Sequence, residues 1–282
     1  MERRAVEGLT RRIVLAAGAA AAASPAVAAD LVRLKGRIVQ GGCVVGVASP
    51  GAEIYVNGDR TGATSRRGLF VLGFDRDEPE TMELRVRGPG LDWRKTLHVE
   101  RGIFGVQRVD GVPQSTVTPT DPKLLARIRR EAALKAEAFA SVSPADDFDG
   151  GFRWPLDDFR VSSRFGNQRI LNGTPNRPHY GIDLAAPAGT VIRAPAPGLV
   201  VLAHPAMHFE GGLTLIDHGQ GLIAAYLHQS KLMISAGDRV RRGQAIGAVG
   251  STGRATGPHL CWRLKWRGRN LDPSLFISAT LT

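Results

Sequence analysis

Apolar positions in this chain fall mostly into short alternating runs, and only one stretch recurs every third or fourth residue. Between residues 30 and 112, apolar-rich segments at 31–39, 42–48, 53–56, 68–74, 81–86 and 93–99 are separated by turn signals such as Asn57-Gly58 and Gly88-Pro89-Gly90. Alternation bounded by such turns predicts the strands of a small β-sandwich. The exception follows Asp121-Pro122, which has the form of a helix N-cap with proline at the first helical position; residues 123–142 are rich in Ala, Leu, Lys, Arg and Glu. This predicts a connector helix over 122–142, with Leu125, Ile128, Ala132 and Phe139 on one face and an i,i+4 pair between Glu131 and Lys135. An acidic stretch at 146–150 ends the linker. Strand-like character then resumes, with turns at Ala188-Gly189, Ala196-Pro197-Gly198, Gly219-Gln220-Gly221, Ala236-Gly237-Asp238 and Arg242-Gly243. The predicted protein is mainly β: a sandwich over 30–112, a linker with its helix over 113–150, and an antiparallel β domain over 151–282.

The first 29 residues are patterned differently. Arg3, Arg4, Arg11 and Arg12 precede an apolar run at 13–23, and small residues follow at Ala26, Ala28 and Ala29. These are the parts of a secretory signal, and the apolar run is far short of the ~20 residues that span a bilayer. Thr10-Arg11-Arg12-Ile13-Val14-Leu15 resembles a twin-arginine signal, the alternative being an ordinary signal with an incidental Arg pair. Either predicts export, to a periplasm. Composition then narrows the partners. With 43% hydrophobic and 22% charged residues the chain is neither disordered nor a multi-span membrane protein, and stable membrane insertion is not expected. Lys and Arg (37) outnumber Asp and Glu (26), a formal net charge of +11. Such a surface attracts polyanions; export removes nucleic acid from the candidates and leaves anionic lipid or an acidic wall polymer. Cys43 and Cys261 are too few for a disulfide scaffold.

Candidate chemistry is confined to the second β region. His179 and Asp183 lie four apart, and the period of two in an extended segment puts both on one face. His259 and Cys261 likewise share one face of a strand, with Leu260 and Trp262 on the other, and Tyr226-Leu227-His228 ends an apolar run with a further histidine. Catalytic zinc takes three protein ligands of N, O or S type and keeps one open position, and His179, Asp183 and Cys261 can supply the three. His204, His208 and His218 lack such context and read as surface or loop residues. No comparable cluster appears in 30–112, which reads as a spacer or adhesion module.

Five motifs occur in order: His-x-Gly-x-Asp at 179–183, Ala-Pro-Ala-Gly-Thr at 186–190, Tyr-Leu-His at 226–228, Gly-Asp-x-Val-x-x-Gly-Gln at 237–244, and a Gly-rich run from 247 that ends Thr-Gly-Pro-His-Leu at 256–260. Together they resemble the lysostaphin/LytM-type zinc endopeptidases that cut peptidoglycan peptides, over about residues 164–275. The resemblance implies a barrel-sandwich type of β domain, zinc held by His179 and Asp183, and His228 and His259 acting on the substrate. Cys261 stands where the family has its last histidine, which would be the third ligand. Three readings of that cysteine stay open: a thiolate ligand, a disulfide with Cys43, or an inert thiol in a degenerate site. The implied substrate is a cross-linked peptidoglycan peptide, with a D-alanyl to meso-diaminopimelyl bond favoured over a polyglycine bridge in a periplasm. His259 would take the water proton and pass it to the leaving amine while His228 donates to the oxyanion, although the two roles are exchangeable at this level. The rivals are an inactive wall-binding regulator of other hydrolases and, from the hairpin at 237–244, a biotinyl/lipoyl-like carrier, which the absence of a carrier-type lysine turn opposes.

Overall fold

A computed structural model describes residues 31–111 and 117–277. The proposed signal at 1–29 lies outside the described residues. Seven strands come first: β1 (Arg33–Gly36), β2 (Cys43–Val47), β3 (Glu53–Val56), β4 (Asp59–Ala63), β5 (Leu69–Gly73), β6 (Thr81–Gly88) and β7 (Leu91–His98). They form two antiparallel sheets, ordered β1-β2-β5 and β4-β3-β6-β7. Alternation along β6, where Met82, Leu84 and Val86 are buried and Thr81 and Glu83 exposed, is the expected half-buried strand. β4 was not among the expected strands. Asn57 and Gly58, both at positive φ (51° and 89°), turn the chain tightly enough for β4 to pair with β3.

β8 (Val106–Val109) leaves these sheets and runs parallel to β10 (Gln168–Leu171), which also pairs with β11 (Thr174–Pro175). Between them in sequence lie α1 (Pro122–Phe139) and β9 (Arg160–Ser163). Asp121 caps α1 as expected, accepting from the backbone N–H of Lys123 (2.7 Å) and Leu124 (3.0 Å). The helix ends at Phe139, short of 142, and its packed face differs from the prediction. Ala132 is exposed, whereas Glu131 and Ala138 are buried. The Glu131–Lys135 pair does not form, because Glu131 turns inward to accept from Arg127 Nε (2.7 Å) and the His208 backbone N–H (2.8 Å) while Lys135 pairs with Glu210. A buried carboxylate takes the donors that satisfy it, and the surface pair is forgone.

The remaining strands are β12 (Ile182–Ala185), β13 (Val191–Arg193), β14 (Gly198–Met207), β15 (Gly211–Asp217), β16 (Leu222–Gln229), β17 (Lys231–Leu232), β18 (Arg239–Val240), β19 (Ala245–Ala248), β20 (His259–Trp266) and β21 (Arg269–Leu271). Their main sheet is ordered β18-β14-β15-β16-β20-β12-β9, with β21 added to β20, and β13-β19-β17 form a smaller one. No sheet among the described residues closes into a barrel. β20 divides the molecule. Leu260, Trp262, Leu264 and Trp266 are at most 1% exposed and belong to an apolar core that runs without interruption from Val32 to Phe276, joining the two β regions. Gly73 marks the junction: a Cβ there would lie 2.9 Å from Leu271 and 3.0 Å from Trp266. Cys261 faces the other way, into a second cluster with Leu215, Leu227 and Ala138.

Candidate metal centre

Strand register assembles the site. Across β9, β12 and β20, Ser163 lies opposite Asp183 and Asp183 opposite Cys261, so three polar side chains share one face of adjacent strands. His179 enters from the loop before β12, and Gly181 lets that loop lie flat against β20. A Cβ at Gly181 would come within 2.6 Å of Arg263 and 2.9 Å of the Trp262 carbonyl. One donor atom each of His179, Asp183 and Cys261 then lies within 4.8 Å of the others. His179 Nε2 is 3.1 Å from Asp183 Oδ1 and 3.4 Å from Cys261 Sγ.

The hydrogen bonds around this trio leave one of its facing atoms, Asp183 Oδ1, without a partner. Arg169 Nη2 donates to Asp183 Oδ2 (3.1 Å), while Asp183 Oδ1, fully buried, has no donor among the described residues. Ser163 Oγ donates to Gln107 Oε1 (2.7 Å) and meets His179 Nδ1 at 2.9 Å, so Nδ1 carries the imidazole proton and Nε2 points its lone pair at Asp183. With Nε2 unprotonated, its lone pair and the orphaned Asp183 Oδ1 lie 3.1 Å apart, an arrangement that a metal cation between them would relieve. The donor set suits zinc: imidazole nitrogen, carboxylate oxygen and sulfur are its three ligand types. Burial pushes His179 down to about 4, against the pull of Asp183, so the ring is neutral at pH 7. Burial alone would raise Asp183, but the Arg169 guanidinium on its Oδ2 helps hold the carboxyl well below the usual carboxylate range. Burial and the Asp183 charge push the Cys261 thiol up to about 12, opposed by Arg263, whose Nε donates to Sγ at 3.4 Å. Cys43 and Cys261 are both free and lie in separate apolar clusters, which removes the disulfide reading.

Beside the trio, His228 and His259 pack with ring centroids 4.7 Å apart. His228 sits where β16 bends, at φ 65°, a left-handed conformation that costs a non-glycine residue about 1 kcal/mol or more. Its Nδ1 meets the Thr252 carbonyl at 2.8 Å and that of His259 meets the Gly257 carbonyl at 2.8 Å. Carbonyls only accept, so Nδ1 carries a proton in both rings. His259 Nε2 stands 3.8 Å from Asp183 Oδ1. Burial, followed by the neighbouring His259, lowers His228 to about 3. Both histidines, Asp183, Ser163 and Gln107 line a cleft of about 440 Å³ whose wall also carries Arg160, Arg169 and Arg254.

All five residues singled out from the sequence thus come together, whereas Ser163, Gln107, Arg169 and Thr252 were not foreseen. Ser163 lies in the short strand β9, well upstream of His179; Gln107 had no signal, since only the parallel β8–β10 ladder brings it near. His218, expected as a surface or loop residue, does follow the end of β15 but is fully buried, its Nδ1 on the Pro197 carbonyl and its ring against Phe152 at 4.7 Å.

A mainly β fold with a buried three-donor centre beside two cleft histidines defines a candidate metallohydrolase. Residues 177–273 match Peptidase family M23, and the chain is 31% identical to a putative peptidase M23 from Pseudomonas aeruginosa, whose crystal structure it matches with a TM-score of 0.67 over 86% of this chain and 96% of that one. The chain belongs to peptidase family M23, the lysostaphin/LytM type. It is 42% identical over 124 residues to the peptidoglycan DD-endopeptidase ShyA of Vibrio cholerae and 41% identical over 127 residues to the DD-carboxypeptidase/endopeptidase Mpg of Neisseria meningitidis serogroup B. These matches take in 43% and 44% of this chain but only 28% and 29% of the relatives' own length, so the chain spans less than a third of them.

Proposed function

We propose that the chain is an exported, zinc-dependent endopeptidase that hydrolyses peptide cross-links of peptidoglycan in the periplasm, at a D-alanyl to meso-diaminopimelyl bond. Peptidoglycan peptide is its partner, without nucleic acid and without stable membrane insertion; among the described residues no helix is long and apolar enough to cross a membrane. The observation that carries the reading is the orphaned Asp183 Oδ1 facing Nε2 of His179, with Cys261 Sγ completing the donor set. The family endopeptidases in Vibrio and Neisseria support the substrate class.

His179, Asp183 and Cys261 hold the metal in this proposal. When bound, zinc supplies electrophilic activation of the scissile carbonyl and the attacking water. His228, neutral and fixed by Thr252, takes the water proton at Nε2 and passes it to the leaving amine; His259, the more exposed of the two, donates to the developing oxyanion from Nε2, which in this role carries a proton as Nδ1 does. This exchanges the two roles assigned from sequence. Residues 151–282 act as the catalytic unit and 30–112 as a β unit that buttresses it. Arg160, Arg169 and Arg254 make the cleft wall basic, which suits a stem peptide that carries free carboxylates.

A second reading, an inactive wall-binding regulator, rests on Cys261 in the place of the family histidine. Purified full-length protein incubated with cross-linked muropeptide dimers separates the two. Zinc-dependent release of monomers is expected; binding to wall sacculi with no cleavage in the presence of zinc would favour the regulator.

A further inference from the structure

In the β8–β10 ladder, Gln107 and Arg169 are register partners, and both act on the donor trio, one directly and one through Ser163. Arg169 holds Asp183 Oδ2 directly. Gln107 acts one step further out, accepting from Ser163 Oγ at 2.7 Å while Ser163 lies 2.9 Å from His179 Nδ1. A serine hydroxyl has one proton. With that proton committed to the Gln107 amide oxygen, the oxygen of Ser163 is left to accept, and His179 must donate from Nδ1. Were Gln107 absent, the buried hydroxyl would be free to donate to Nδ1 instead, and His179 would carry its proton on Nε2, the atom that faces Asp183 and Cys261. The direction of the chain therefore decides whether His179 offers the trio a lone pair or an N–H. Gln107 lies outside the M23 match at 177–273, on a strand that belongs by sequence to the segment leading out of the first β region.

We propose that Gln107, through Ser163, is a positioning residue that sets the tautomer of His179 and so presents Nε2 to the metal. The inference rests on the zinc reading, but its first readout does not require metal. In zinc-free full-length protein labelled with ¹⁵N-histidine, imidazole NMR should show His179 protonated at Nδ1. Gln107→Leu, which removes the acceptor, should shift His179 toward the Nε2–H form. It should also weaken zinc binding, measured by competition with a chromophoric chelator, by roughly 10- to 100-fold, the usual loss when a partner of a ligating histidine is removed. Gln107→Glu keeps an acceptor oxygen and should restore both tautomer and affinity, a rescue that a purely structural role for the side chain does not require. Ser163→Ala, which interrupts the chain at a second point, should likewise lower zinc affinity. The proposal is overturned if wild-type His179 is protonated at Nε2, or if Gln107→Leu retains the Nδ1–H form and wild-type zinc affinity. A wild type that binds no zinc yet shows the tautomer change in Gln107→Leu would uphold the hydrogen-bond chain and refute the zinc reading alone.

Discussion

The two β regions are built from the same kind of strands and share one apolar core, yet they bury different things. Among the described residues of 31–111 only Thr64 and Glu78 are buried polar side chains, and the ion pairs there, such as Arg85–Asp92 and Arg101–Glu80, lie at the surface. Beyond residue 150 the buried polar set includes Ser163, His179, Asp183, Thr214, Asp217, His218, His228 and Gln229. Burying a polar group costs free energy unless it is paired. Most of these are paired within the protein: Asp217 accepts from Ser141 Oγ (2.6 Å) and from the backbone N–H groups of Ser143 and Gly219, and Gln229 donates to Thr214 Oγ1 (2.9 Å). Among the described residues Asp183 Oδ1 is unpaired, as are His218 Nε2 and Gln229 Oε1, but it alone of these atoms faces two further metal-type donors. The difference between the regions thus separates scaffold from site without reference to any relative.

The sharpest way to break that comparison is to neutralise Asp183. Asp183→Asn keeps the shape but removes the charge that offsets a divalent cation, and should abolish zinc binding and muropeptide hydrolysis together. Retention of either would place the centre elsewhere. A stability change should instead come from the shared core. Trp266, 1% exposed and packed where the two regions meet, should lose about 3–5 kcal/mol of unfolding free energy as Trp266→Ala, read by denaturant titration, because the cavity cannot collapse. If Trp266→Ala cost no more than a surface change, the two regions would be only loosely joined.

Metal binding should depend on pH in a direction fixed by Cys261. Its thiol is pushed up to about 12, so at neutral pH it is protonated before zinc binds and must lose that proton. His179, lowered to about 4, and Asp183 have none to lose there. Zinc affinity should therefore rise by about tenfold per pH unit between pH 6 and 8, with one proton released per ion, and Cys261→His should flatten that slope. Calorimetry in buffers of different ionisation enthalpy counts the protons; a pH-independent affinity in the wild type would show that sulfur is not a ligand. The smallest effect belongs to the first region. Arg85→Ala removes an exposed pair with Asp92 and should leave both unfolding and hydrolysis unchanged, whereas a loss of activity would mean that the sandwich takes part in the reaction.

Local pattern made much of this legible. Alternation in β20 separated Cys261 from Trp262, because a period of two survives folding whenever a strand forms, whereas His179 joins Asp183 from the loop before β12 rather than by strand alternation. What stayed hidden depends on contacts between distant segments. The parallel β8–β10 ladder that delivers Gln107 and Arg169 has no signature in either segment, since neither residue type nor spacing encodes a partner sixty positions away. Glu131 misled for a related reason: helical spacing pairs it with Lys135, but burial against His208 and Arg127 outweighs a surface contact. The direction of proton transfer also needed coordinates, because only the Thr252 carbonyl reveals which nitrogen of His228 is free.

Zinc stoichiometry tests the central claim most directly. Elemental analysis of purified wild type and of Cys261→Ala, each equilibrated with zinc and freed of excess, should find one zinc per chain in the wild type and a large loss in the variant, with hydrolysis falling in parallel. A wild type without zinc, or a Cys261→Ala variant that binds zinc and cleaves muropeptides as well as the wild type, would contradict it.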